Sequence, residues 1–205
     1  MELTLPQQDS LTELINIGYG RAAASLSDLT GHRIVLEVPQ VAMHRIEEIT
    51  PLLSEVIRGE VASVNQIFSG PISGNALLLM DERSAIELSK LLSDQDNGRN
   101  SFDANAREMI TEVGNIVLNA CLGVFGNLLQ VQVTFAVPRM QVEGIETILH
   151  TITVGSVELR YALMIHTRFR IRTSNVTGYL VIILGITSLD RMLEELGKWE
   201  QRHFS

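Results

Sequence analysis

A single cysteine among 205 residues leaves no intrachain disulfide to form. It also makes a thiolate metal site a poor expectation, and the string Asn119-Ala120-Cys121-Leu122 reads instead as a small buried helix segment. The five histidines, His32, His44, His150, His166 and His203, keep no ligand spacing, so no metal is expected on this chain. Lysine and arginine number 16 against 24 acidic residues, for a net charge of −8. That balance argues against a phosphate-tracking nucleic-acid surface and against a basic membrane patch. The start, Met1-Glu2-Leu3-Thr4, has neither a basic nor an apolar leader stretch. The strongest apolar run, Tyr179 to Ile186, is too short to span a bilayer and reads as a buried strand. A cytoplasmic protein is the expectation.

What is present is an ordinary globular composition, with 45% hydrophobic and 20% charged residues in a chain long enough to bury a proper core. The chain also reads twice over. Residues 8 to 30 carry Leu11, Leu14, Ile15, Ala22, Leu26 and Leu29 at helical spacing, with Gly31 as the stop. Residues 34 to 38 then read as a strand ended by Pro39, followed by an irregular stretch from Val41 to Leu53 with at most one helical turn before Pro51. Strands over 60–68 and 74–80 flank a Ser69-Gly70-Pro71 turn, and a helix covers 82–92. The polar stretch 93–100 is the natural linker. The second half repeats the order: a helix over 103–129, a strand over 131–137 ended by Pro138, strands within 154–170 and 178–184, and a helix over 188–199.

Three strands per half cannot hide both faces of a sheet alone. The expectation is therefore one α/β (α+β) domain over residues 1–205, with pseudo-two-fold symmetry. Its repeats, 1–95 and 101–205, each read helix, strand, strand, strand, helix, and share a six-stranded sheet carrying two long helices. Gly18-x-Gly20 lies inside the first helix with no strand before it, so it is not a dinucleotide loop. Close approach of a neighbouring helix is the better reading of those glycines.

The two long helices carry the informative repeat. Asp9, Glu13 and Asn16 stand at i, i+4 and i+7, and 22 residues separate Asn16 from Pro39. Glu108, Glu112 and Asn115 stand at the same spacing, again with 22 residues before Pro138. At about 100° per residue, each set lies within about 60° of helix circumference and forms one stripe. One such stripe alone is more often a solvated helix face. A stripe repeated at a matched distance from proline suggests a site that exists twice.

These strings resemble the signature of the CheC/CheX/FliY family of chemotaxis phosphatases, in which Asp or Ser, Glu and Asn at this spacing precede a proline. Two motif copies in a chain of this length look like the CheC branch. The second copy departs from the pattern at its first position, Glu108. The resemblance implies hydrolysis of the aspartyl phosphate on a CheY-type receiver. Asn16 and Asn115 would orient the attacking water, Glu13 and Glu112 would contact the receiver's lysine, and Asp9 and Glu108 would touch the partner. Mg2+ would sit on the phosphorylated receiver, with no cofactor on this chain. The implied partners are the receiver and, in some settings, CheD, with neither nucleic acid nor membrane, and a monomer is expected. Two other readings compete: a docking module that binds a receiver or CheD without hydrolysis, and a purely structural role with both glutamates buried.

Overall fold

The computed structural model describes residues 3–93, 102–128, 130–153, 159–171 and 174–203. Its elements run α1 (Leu5–Thr30), β1 (Ile34–Arg45), α2 (Ile46–Val56), β2 (Glu60–Ser69), β3 (Gly74–Asp81) and α3 (Glu82–Ser93). The second half follows as α4 (Ala104–Leu128), β4 (Thr134–Phe135), β5 (Arg139–Gly144), α5 (Ile145–Thr153), β6 (Leu159–Ile171), β7 (Ser174–Gly185) and α6 (Ile186–His203). Most of the expected linker, 94–100, lies outside the described residues.

All strand pairs are antiparallel, and the order is β1-β6-β7-β3-β2-β4, with β5 also on β2. β4 and β5 occupy one strand position, so the sheet has seven strands in the six positions expected. The halves exchange their first strands. β1 of the first half pairs with β6 of the second, and β5 of the second pairs with β2 of the first. The halves also meet at the centre of the sheet, where β3 pairs with β7. Neither half therefore completes its own sheet.

One face of the sheet carries α1, α3, α4 and α6 over the larger apolar core, which includes Leu11, Ile15, Val64, Val113 and Phe169. α2 and α5 cover the other face over a second cluster around Ile49, Leu53, Leu77, Ile148 and Ile183. α4 is long and apolar enough to cross a membrane, yet it is a core helix here, with Ile110, Val113, Val117, Leu118 and Cys121 all buried.

Two expectations are corrected. Pro39 does not end its strand: β1 continues to Arg45, and the register with β6 shifts between Glu37 and Gln40. β1 is an edge strand, so a proline there need cost no ladder bond, and a bulge absorbs the mismatch. In the second half, Pro138 interrupts the strand instead, which splits it into β4 and β5. The helices α2 and α5 stand at matching places in the two halves; α5 was not expected, and at α2 no more than one helical turn before Pro51 was. Pro51 lies within α2 and is exposed.

The ends of the long helices are set locally. In α1, Thr4 and Gln7 form a capping box, and Gly31 closes the helix in the left-handed conformation at φ 71°, its N–H donating to Ser27 O. The matching residue after α4 is Gln130, held at φ 52°. A residue with a β-carbon is strained there. Gln130→Gly is expected to raise stability by about 1 kcal/mol in denaturant unfolding. No gain would mean that local contacts of Gln130 offset the strain.

Candidate functional site

The outward face of α1 is defined by what its inward face must bury. Leu11, Leu14, Ile15, Gly18, Tyr19, Ala22 and Leu26 are buried. The Tyr19 hydroxyl hydrogen-bonds Thr167 of β6 within the core. Burial is also the main reason its proton is held well above the usual phenol range. Together with Gln8 Nε2 donating to Val41 O at 2.7 Å, this fixes the rotation of the helix about its axis. Asp9, Glu13 and Asn16 are then left exposed on the opposite side. Among the described residues none forms an ion pair or hydrogen bond with them.

α4 is built the same way. Asp103 Oδ1 accepts from Ala106 N at 2.9 Å to cap the helix, and Arg107 lies over the Phe102 ring. Glu108 and Glu112 are exposed, whereas Asn115 is half-buried. The glutamates are thus not buried in either copy, which removes the structural reading of the stripes. A carboxylate left in water and unpaired is free to meet a partner's cation.

The two copies differ beneath the helix. The first has Ile15 before Asn16, but the second has Gly114 before Asn115. A β-carbon on Gly114 would come within 2.5 Å of Val64 Cγ1, so α4 lies closer to the sheet than a larger residue would allow. The copies also differ one turn on. Asn119 Nδ2 donates to Asn115 Oδ1 at 2.8 Å, while the matching position in α1 is Gly20, which has nothing around it. Asn119 was missed in the sequence, although its place four residues after Asn115 extends the stripe by one carboxamide.

Gly18 does what was expected, since a β-carbon there would meet Cys121 Cα at 3.2 Å and Ala120 O at 3.3 Å. Gly20 does not, because its surroundings are open. α1 and α4 run antiparallel across this crossing. Leu14, Ile17 and Arg21 of α1 line a cleft with Val124 and Asn127 from the far end of α4, together with Trp199 of α6. The stripes therefore lie at opposite ends of the helix pair, and the cleft flanks the first.

No family model matches the sequence. Solved structures do. FliY from Thermotoga maritima superposes with a TM-score of 0.77 at 18% identity, covering 97% of this chain and 99% of that one. The FliM middle domain from Vibrio alginolyticus gives a TM-score of 0.64 at 16% identity, over 90% of this chain and 99% of that one. CheX from Vibrio vulnificus gives 0.50 at 15% identity, over 85% and 97%. This chain has the FliY/FliM/CheX fold. The family resemblance read from the two stripes is thus matched by an independent likeness in architecture. These matches name FliY, FliM and CheX, where the motif count pointed to the CheC branch. Within the FliY/FliM/CheX fold, the stripes occupy the outer faces of the two long helices that pack side by side on the sheet.

Proposed function

We propose that the chain is a phosphatase for the aspartyl phosphate of a CheY-type receiver, with one site on α1 and one on α4. The observation that carries this reading is the Glu-x-x-Asn pair on matching faces of both long helices, with both glutamates exposed and, among the described residues, free of ion pairs, Asn16 exposed and Asn115 half-buried. An acyl phosphate is already reactive, so the catalyst chiefly has to place one water in line with phosphorus. The Oδ1 of Asn16 or Asn115 accepts from that water, while Nδ2 donates to a phosphoryl oxygen without adding negative charge. The water oxygen bonds to phosphorus as the bond to the aspartyl oxygen breaks, giving inorganic phosphate and a free aspartate on the receiver. Glu13 or Glu112 docks the receiver through its lysine, and Asp9 or Glu108 meets the partner at the stripe's outer end. Mg2+ belongs to the receiver's own acidic pocket.

The test is the decay of a 32P-labelled, Mg2+-loaded receiver with and without this chain. Acceleration is expected, and Glu13→Gln with Glu112→Gln should raise KM more than they lower kcat. A second reading draws on the FliM middle domain, which has the same fold: a docking module for a receiver, or for CheD, with no chemistry. Binding that leaves the decay unchanged would favour that reading.

A further inference from the structure

The second stripe has a residue that the first lacks. Asn119 donates to Asn115 Oδ1 at 2.8 Å, and the half-burial of both side chains limits the room they have to move. At the matching place stands Gly20, and Asn16 is exposed with nothing among the described residues to hold its carboxamide. A free carboxamide samples several side-chain rotamers and must give that freedom up when it engages water and phosphate. One already held has given it up during folding.

We propose that Asn119 is a positioning residue for Asn115, so that the two sites are unequal and the second is pre-organised. Asn119 occupies one lone pair of Asn115 Oδ1 and turns that oxygen back along the helix. The second lone pair and both N–H groups of Asn115 stay available to a partner. Asn119 itself lies one turn further on, half-buried, with its own Oδ1 turned inward and without a hydrogen-bond partner among the described residues, so it need not touch the receiver. In its kinetic consequence the proposal rests on the phosphatase reading; in its geometry it stands alone.

The experiment therefore has two arms on the full-length chain. In the first, the NH2 signals of the Asn115 side chain, assigned by their loss in Asn115→Ala, are followed in 15N-correlated spectra. Asn119→Asp keeps the shape but, when ionised, has no N–H to donate. It is expected to shift the Asn115 signals as that NH2 turns to donate to the new carboxylate, whereas Asn119→Ala, which offers no partner, should make them more mobile, with the backbone spectrum otherwise retained. Unchanged Asn115 signals would overturn the proposal.

The second arm uses decay of the labelled receiver, one site at a time. With the first site silenced by Asn16→Ala, Asn119→Asp and Asn119→Ala should each lower kcat about fivefold, the worth of an ordered polar side chain, with KM unchanged. With the second site silenced by Asn115→Ala, Gly20→Asn should raise kcat by a similar factor, because it installs the missing donor in open space. A change in KM alone, or a Gly20→Asn chain no faster than its parent, would refute positioning. No acceleration by the wild-type chain would defeat the phosphatase reading and the kinetic half of this proposal together. The NMR arm would still decide whether Asn119 holds Asn115.

Discussion

Replacing Asn16 and Asn115 together by alanine is expected to abolish the acceleration of receiver dephosphorylation, a loss of about 100-fold or more in kcat/KM. The magnitude follows from the role assigned to the carboxamide. If the attacking water is no longer held in line, the entropic advantage of the bound geometry is lost, and displacements of about 1 Å already cost about 100-fold. Asn16 is exposed and Asn115 only half-buried, and alanine is the better helix former, so the fold should survive unchanged. The single variants carry further information. Two independent sites predict partial loss in each, and the positioning by Asn119 predicts the greater loss for Asn115→Ala. A double variant that still accelerates decay would sink the mechanism, whatever else the chain binds. Retained binding by the same double variant would locate the carboxamides in the chemical step rather than in docking.

Much of this architecture could be read without coordinates, and the limits of that reading have physical causes. α1, α4, α3 and α6 were legible because a long helix must repeat its apolar face several times, and Gly31 marks a stop. α2 was not. It is 11 residues long, and Pro51 falls within it, so an apolar pattern of Ile46, Ile49 and Leu53 was read as irregular. β5 was hidden because Arg139-Met140-Gln141-Val142-Glu143 lies at the sheet's far edge beyond Pro138, with no residue fully buried. The strand exchange was out of reach in principle: each half encodes a compatible edge, and nothing in either sequence says which half's second strand will take it.

The candidate site divides along the same line. The stripes follow from spacing alone, since i, i+4 and i+7 share a face in any helix. The inequality of the stripes depends on what lies beneath and beside each helix, on Gly114 over Val64 and on Asn119 beside Asn115. Those are facts of packing. A repeated motif therefore marked two candidate sites, and the departures from the repeat show how their surroundings differ.

Gly74→Ala is expected to destabilise the chain by about 3 kcal/mol or more, the upper range for overpacking against groups that cannot move aside. An added β-carbon would sit 2.1 Å from Ile183 O and 2.8 Å from Phe68 Cζ. The first of these is backbone, in the ladder where β3 meets β7, and cannot swing away as a flexible side chain could. The device occurs at both ends of that seam: Gly178 on β7 also comes close to β3, with Leu79 O at 2.8 Å from its would-be β-carbon. Because β3 and β7 form the central join between halves that also exchange strands, the seam cannot loosen locally without disturbing both. At a urea m-value of about 2 kcal/mol/M, the midpoint should fall by about 1.5 M. Gly123→Ala makes the same chemical change on α4, where nothing lies within 4 Å of the new methyl. It should stabilise by about 1 kcal/mol through helix propensity and a more restricted unfolded chain. Opposite signs for one identical substitution isolate the packing at the seam from any intrinsic property of alanine. A shift for Gly74→Ala below about 0.3 M, on the same m-value, would mean that β3 and β7 have slack and that the join between the halves is not tightly registered.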